Sequence, residues 1–465
     1  MKMHRKKICF RHIITAVLII SEIIFSSVLI RTLCCLSEII RRWMFVFGIL
    51  ISVKLIITKE KTVYTALWIL FLTAFPSQSW FFYCVFNKKI RKVCRRENNL
   101  KVFRETETKY YPCGEKFFSG LVSEIRKASK YIYLEYFIIN DGVMWESLLN
   151  ILMEKAEKGV EVRIIYDDMC SVLFSNKKIR ELRKYGITAV PFNRMTPFPD
   201  IGLNRRNHRK IAVIDGVTAF TGGINISDEY INMAGYNGNW KDAAVMIKGS
   251  AAGEMACSFA ETWYFCTGQK LFPEIQDDNI NLKKGFLIPF EDSPFNKERL
   301  SKLTYIKHIN CASEYVYIMT PYLIPDNDMI RALCLAAERG IDVRIITPYL
   351  PDKKLVHLVT RSYYMTMILS GVRIYEYSPG FIHSKTLISD DNSAVIGSAN
   401  FDYRSFYLLF ENSVIMYNCS AIDQMKNDFE NTFRESREIT SDFFSEISYF
   451  DKIFGKILKL FSCIM

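Results

Sequence analysis

The sequence predicts an α/β protein made of two tandem α/β/α halves related by a pseudo-twofold, preceded by N-terminal transmembrane helices. Three observations predict it. The pattern His-x-Lys with an Asp five residues after the Lys occurs twice, as His208-Arg209-Lys210 with Asp215 and as His383-Ser384-Lys385 with Asp390. A ten-residue block also recurs: Ala156-Glu157-Lys158-Gly159-Val160-Glu161-Val162-Arg163-Ile164-Ile165 matches Ala337-Glu338-Arg339-Gly340-Ile341-Asp342-Val343-Arg344-Ile345-Ile346 at seven positions. Finally, residues 1–100 are dominated by long apolar stretches.

Taken from the N-terminus, residues 13–30 form an apolar run interrupted by one charge, Glu22; a second run spans Trp43–Ile57 and a third Thr62–Phe86. The third is long enough to cross a bilayer with some tilt. The second is short and carries Lys54, so it fits an interfacial position as well as a span. A cleaved signal peptide fits poorly, because the first run is long and further apolar segments follow it. Lys88, Lys89, Arg91, Lys92, Arg95 and Arg96 directly follow the third run, which puts the body beyond it in the cytoplasm. Lys2, Arg5, Lys6, Lys7 and Arg11 draw the N-terminus to the same side; two spans satisfy both basic clusters, whereas three satisfy only one. Residues 1–100 are therefore expected to be a multi-pass anchor in the cell membrane.

Each copy of the repeated block closes a helix at a glycine and opens a β-branched run, which reads as helix, C-cap, strand. An apolar strand precedes each helix, at Tyr131–Ile139 and Tyr315–Leu323, so each half alternates strand, helix, strand and is expected to hold a largely parallel sheet. Half one is placed at 101–270 and half two at 285–445, with a joint near Gln269–Asn296 marked by Pro273, Pro289 and Pro294. With two copies only, a repeat array is excluded. In 446–465, Tyr449, Phe450, Ile453, Phe454, Ile457, Leu458, Leu460 and Phe461 alternate with Lys452, Lys456 and Lys459 at helical spacing. That pattern fits an amphipathic helix lying either in a membrane interface or on the protein's own core.

The ladder continues behind each motif, since Gly222-Gly223-Ile224-Asn225 stands at the same offset from His208 as Gly397-Ser398-Ala399-Asn400 does from His383. Histidine titrates near neutrality, so one imidazole can attack phosphorus while a second, protonated, donates to the leaving alkoxide. A lysine two residues along a strand shares its histidine's side; His208 with Lys210, and His383 with Lys385, can then face one anion. Asn225 and Asn400 can donate amide hydrogens to the phosphoryl oxygens. Such a phosphodiester site needs no metal and no cofactor. The histidines can meet only if the halves pack with their motif strands facing across a seam. His4, His12, His308 and His357 lack this context and read as structural or solvated.

These motifs resemble those of the phospholipase D superfamily. Arg206-Asn207-His208-Arg209-Lys210-Ile211, Phe220-Thr221-Gly222-Gly223 through Asn225, Trp240-Lys241-Asp242, Tyr375-Glu376-Tyr377 with Gly380-Phe381-Ile382-His383, and Gly397-Ser398-Ala399-Asn400-Phe401-Asp402 with Arg404-Ser405-Phe406 are similar to bacterial cardiolipin synthases. One position departs: Leu409 precedes Phe410-Glu411 where that family usually has Asn. The resemblance implies a phosphatidyltransferase that condenses two phosphatidylglycerol molecules into cardiolipin and glycerol through a phosphatidyl-histidine, with His208 as nucleophile and His383 as acid and base. It implies further that Lys210, Lys385, Asn225 and Asn400 hold the phosphate and that Asp242 and Glu411 orient the imidazoles. Asp215 and Asp390 complete the motifs and are expected to brace them. A phospholipase D that uses water, or a transferase with another alcohol acceptor, has the same residues. A nuclease of the superfamily would have little use for the apolar front, and two complete motifs argue against an inactive scaffold.

A net charge of +12 suits either nucleic acid or an anionic membrane, and the apolar front selects the membrane. The thirteen cysteines form no CxxC pair or zinc spacing. Cys34-Cys35 is an incidental vicinal pair, and a cytoplasmic body keeps its thiols reduced.

Overall fold

The computed structural model describes residues 100–442 except 105, 172–173, 195–204, 234–237, 276–284, 297 and 441, together with Val46, Gly455, Leu458 and Lys459. Residues 93–194 with 205–465 form one compact unit. The other unit, 1–92 with 195–204, lies outside the described residues apart from Val46, which is helical. The predicted membrane runs at 13–30, 43–57 and 62–86 accordingly fall outside the described residues. Among the described residues no helix is long and apolar enough to cross a membrane.

Half one comprises β1 (Thr106–Tyr111), α1 (Gly114–Ile125), β2 (Tyr131–Tyr136), α2 (Val143–Glu157), β3 (Glu161–Asp167), α3 (Asn176–Lys184), β4 (Ile187–Phe192), β5 (Lys210–Ile214), β6 (Thr218–Gly222), β7 (Asn239–Lys241), β8 (Ala244–Gly249) and α4 (Ser250–Thr267). Half two comprises β9 (Phe286–Asp292), α5 (Leu300–Cys311), β10 (Tyr315–Met319), β11 (Leu323–Ile324), α6 (Asn327–Glu338), β12 (Asp342–Pro348), α7 (Lys354–Ile368), β13 (Arg373–Tyr377), β14 (Gly380–Ile382), β15 (Thr386–Ser389), β16 (Ser393–Gly397), β17 (Phe401–Asp402), α8 (Tyr403–Tyr407), β18 (Glu411–Tyr417), α9 (Ser420–Arg434) and β19 (Ser436–Ile439). The repeated block folds as its composition dictates. α2 and α6 each end two residues before a glycine in the left-handed region, Gly159 at φ +85° and Gly340 at φ +89°, where a side chain would be strained.

A seven-stranded sheet of order β1-β8-β6-β5-β2-β3-β4 forms half one, and an eight-stranded sheet of order β19-β13-β12-β10-β15-β16-β18-β9 forms half two. Only β2–β3–β4 and β10–β12–β13 pair in parallel; every other neighbour in the two sheets is antiparallel. This corrects the expectation of largely parallel sheets. Helical crossovers supply the parallel pairs, but the motif strands β5–β6 and β15–β16 are joined by tight turns, and a short turn can only join antiparallel strands. Pro289 of the expected joint lies inside β9, at a sheet edge where a missing N–H is tolerated.

At those turns stand the two motif aspartates, Asp215 at φ +53° and Asp390 at φ +52°. The Asp215 carboxylate accepts from Ser129 N and Oγ, Lys130 N and Tyr131 N at 2.8–2.9 Å. Asp390 repeats this with Ser313, Glu314 and Tyr315 at 2.9–3.1 Å. Each ties its hairpin to the start of the central strand, β2 or β10. That is the opposite end of the motif strand from the histidine, seven residues along the chain and on the order of 20 Å away at about 3.3 Å per residue.

One buried cluster joins Val213, Ala219, Val245 and Phe259 of half one to Ile388, Ile396, Val414, Met416 and Phe429 of half two, so the halves share a core. On the outer faces Leu121 and Trp145 of α1 and α2 cover the first sheet, while Leu333 and Tyr364 of α6 and α7 cover the second. The described residues of the C-terminal segment lie against α7 and its core. Leu458 packs on the half-two cluster, and Lys459 Nζ sits 3.9 Å from the Tyr363 ring centroid.

Candidate active site

Two short ladders stitch the halves together where the motifs begin. β14 pairs in parallel with β7, matching Phe381 to Trp240 and Ile382 to Lys241, and His383 N then donates to Lys241 O at 2.6 Å. On the other side Asn207 bridges to Phe410, His208 N donates to Phe410 O at 2.9 Å, and Phe410 N donates to Arg206 O at 3.0 Å. Each histidine is thus pinned to the residue that precedes a carboxylate in the opposite half, because Asp242 follows Lys241 and Glu411 follows Phe410. His208 Nδ1 lies 3.0 Å from both Glu411 oxygens, and His383 Nδ1 lies 2.6 Å from Asp242 Oδ2. With Nδ1 engaged by a carboxylate, Nε2 of each ring is the nitrogen left for chemistry.

The other predicted residues gather around this pair. Lys210 Nζ donates to His208 O at 2.5 Å. Lys385 Nζ donates to His383 O and lies 2.8 Å from His383 Nδ1. Asn225 is anchored locally, accepting from Ile138 N at 3.1 Å and donating to Tyr230 OH at 2.6 Å. Asn400 is buried and bonds to Asp402. Tyr230, Trp240 and Phe381 surround His383 at ring distances of 5.4–5.9 Å, whereas Phe137 stands edge-on to His208 at 4.8 Å. The glycine of each Gly-x-x-Asn tail is needed for close approach: a Cβ at Gly397 would come within 2.4 Å of Asn412 O, and one at Gly222 equally close to Ala243 O. Gly223 leaves room for the Asp242 carboxylate, while its counterpart Ser398 donates to Glu411. Leu409 is buried beside this strand.

Burial sets the charge state. It pushes His208 down to about 4, with Lys210 and Lys385 adding to the effect and Glu411 opposing it. Burial, then Lys385 and Lys210, holds His383 well below its ordinary range. The carboxylate of Asp242 is pushed up to about 7 by burial. Burial also raises Glu411, but His208 and Lys210 outweigh it and keep this carboxyl below its usual range. Burial lowers Lys210 to about 7 and Lys385 to about 8. An anionic phosphodiester would favour the charged form of all four basic groups. The two lysines are charged below these values and neutral above them. Substrate affinity is therefore expected to fall as pH rises through 7 to 8, with KM increasing at least about tenfold between pH 6.5 and 9. A flat KM over that range would remove the lysines from phosphate binding.

Sequence reading did not find the charge network beneath the first motif. Arg206, fully buried, donates through Nε to both Asp167 oxygens at 2.9–3.0 Å, and Asp167 also accepts from Asn207 N and Met169 N. Arg209 reaches Thr262 at 2.7 Å, Glu291 at 2.9 Å and Glu135 at 3.4 Å, and Asn207 donates to Glu135 at 2.6 Å. Burial raises Glu135 to about 7 against the pull of Arg209. The signal was present in the sequence: Glu135 is the single carboxylate of the apolar strand β2 and Asp167 closes the apolar run Ile164–Tyr166 of β3, and a buried charge requires a partner. Half two carries Phe381, Pro348, Ser384 and Met319 at the places of Arg206, Asp167, Arg209 and Glu135. His308 bonds to Thr304 O at 2.8 Å within α5, and His357 of α7 lies 4.0 Å from Glu376. Among the described residues no group of three or more His, Cys, Asp or Glu is arranged to hold a metal ion.

Comparison with known proteins bears on this geometry. Residues 121–263 and 305–433, more than half of the chain, match the family described as cardiolipin synthase, PLD-like domain. An uncharacterised protein of Streptococcus mutans is 41% identical over 368 residues, covering 78% of this chain and 80% of its own. A cardiolipin synthase of Geobacillus sp. is 33% identical over 458 residues, covering 89% and 91%. Among solved structures, phosphatidylserine synthase from Haemophilus influenzae Rd KW20 aligns with a TM-score of 0.59 at 16% identity, over 79% of this chain and 96% of that one, a likeness of fold. With two motif histidines crossed onto carboxylates at the seam of a duplicated fold, the chain belongs to the cardiolipin synthase family of phospholipase D-like proteins.

Proposed function

We propose that this protein is a membrane-bound phosphatidyltransferase that condenses two phosphatidylglycerol molecules into cardiolipin and glycerol. The observation that carries the reading is the crossed pairing of His208 with Glu411 and His383 with Asp242, which equips one seam with two equivalent imidazoles. In the first step Nε2 of His208 attacks phosphorus. A P–N bond forms, the P–O bond to glycerol breaks, and His383 gives its proton to the departing alkoxide. Glu411 stabilises the positive charge that His208 then carries. In the second step a hydroxyl of another phosphatidylglycerol headgroup passes its proton to His383 while its oxygen attacks. The new P–O bond forms as the P–N bond breaks. Lys210, Lys385, Asn225 and Asn400 hold the phosphate oxygens throughout.

The apolar runs before residue 87 anchor this body to the cytoplasmic face of an anionic membrane, which delivers lipid alcohols to the seam. A reporter fused after residue 96 should read cytoplasmic, and an external signal would overturn that placement. Phosphatidylglycerol alone should yield mostly cardiolipin with little phosphatidic acid by lipid mass spectrometry, and excess glycerol should drive cardiolipin back to phosphatidylglycerol, because the same histidine pair catalyses both directions. Phosphatidic acid as the main product, with no glycerol effect, would make the protein a hydrolase.

A further inference from the structure

The pseudo-twofold makes every difference between the halves near the histidines informative. Counted from the repeated block, Asp352 of half two takes the place of Ser171 in half one; counted along the equivalent strands β10 and β2, Tyr322 takes the place of Ile138. In half one Ser171 Oγ donates to Phe137 O at 3.2 Å and accepts from Ile139 N at 3.1 Å, so its hydroxyl is bonded to the backbone on either side of the apolar Ile138. In half two Tyr322 OH donates to Asp352 Oδ2 at 2.6 Å, and Lys353 Nζ lies 5.4 Å from the Tyr322 ring. Tyr322 and Asp352 are both half-buried. The Tyr322 ring meets Phe381 at 6.4 Å, and Phe381 meets His383 at 5.9 Å. The charge of Asp352 is felt at Lys385 and Tyr230, and that of Lys353 at His383. A hydroxyl-binding pair therefore flanks the site on the His383 side, whereas the same two places on the His208 side hold the apolar Ile138 and a serine already bonded to backbone.

We infer that Tyr322 and Asp352 form the alcohol subsite, binding the hydroxyls of the glycerol that leaves in the first step and of the headgroup that attacks in the second; this rests on the transferase reading above. A carboxylate can accept from both hydroxyls of a vicinal diol, and a phenol can donate and accept at once. The subsite holds the alcohol beside His383, the group that exchanges a proton with it. It leaves His208 to attack from the opposite side, as in-line displacement at phosphorus requires. Discrimination follows from the same groups, since a site built to bind hydroxyls rejects an alcohol lacking them.

The test is a competition. Full-length enzyme in phosphatidylglycerol–detergent micelles is offered deuterated glycerol and 1-propanol at equal concentration, and the ratio of the two phosphatidyl products is read by mass spectrometry. Both alcohols draw on one phosphatidyl-enzyme, so the ratio does not depend on how much of a variant is folded. The unmodified enzyme should favour glycerol. The ratio should fall at least about tenfold in Asp352→Asn and several-fold in Tyr322→Phe, which removes only the hydroxyl. A ratio equal to the unmodified enzyme's in both variants overturns the subsite and leaves the transferase reading standing. If the unmodified enzyme transfers to neither alcohol and makes only phosphatidic acid, the transferase reading falls and the subsite with it.

Discussion

Replacing His208 or His383 by alanine is expected to lower cardiolipin formation by at least about 10⁴-fold each, with the double variant no worse than either single one. The reason is that each imidazole serves in both half-reactions. Without His208 no P–N bond can form, and without His383 neither the departing nor the entering alcohol can exchange its proton. Groups that act as one unit lose activity together, so the losses do not add. The two variants should nevertheless differ in one readout. Incubation with phosphatidylglycerol labelled in its acyl chains should leave slowly formed label on the protein in His383→Ala and none in His208→Ala, which assigns the nucleophile. Label on His208→Ala but not on His383→Ala would exchange the two roles, and near-normal turnover in either variant would sink the two-histidine mechanism. Folding is checked by thermal unfolding in detergent, because each substitution leaves a buried carboxylate without its imidazole.

The largest expected effect on stability lies one layer beneath the site, at Asp167→Ala. Asp167 is fully buried and accepts from Arg206 Nε, Asn207 N and Met169 N. Arg206, equally buried, also donates to the carbonyls of Asn193 and Phe192, and the substitution takes away its Asp167 carboxylate partner. Removing one partner of a buried ion pair leaves an uncompensated charge in low dielectric and costs about 3–5 kcal/mol. That should lower the unfolding temperature by on the order of 10 °C. Activity should drop as well, since Arg206 O accepts from Phe410 N in the ladder that positions His208 against Glu411. The second half predicts the remedy, because Phe381 and Pro348 occupy the corresponding places without any charge. The double variant Asp167→Leu with Arg206→Met should therefore recover at least about half of the lost stability, as apolar replacements of buried ion pairs do. A single Asp167→Ala change costing under about 1 kcal/mol would show that the pair is hydrated and of little consequence.

What the sequence determined by itself follows from local rules and from repetition. The Gly159 and Gly340 helix ends, the strands on either side and the division into halves were legible because capping and periodicity act over a few residues, and duplication printed each signal twice. The motif residues were legible for the same reason. The direction of the strands was not, because apolar runs do not record whether a neighbour is reached by a helical crossover or by the tight turns at Asp215 and Asp390. Tertiary structure alone decided which carboxylate serves which histidine: Asp242 and His383 are separated by 141 residues, and His208 and Glu411 by 203. Those pairings exist because β7 lies beside β14 and Asn207 beside Phe410 across the shared core. It also decided that Glu135, Asp167, Arg206 and Arg209 form a network under one motif only, and that Tyr322 meets Asp352 beside one histidine only. Such contacts depend on how two sheets pack. Packing depends on the summed burial of dozens of side chains, a quantity that no short stretch of sequence contains.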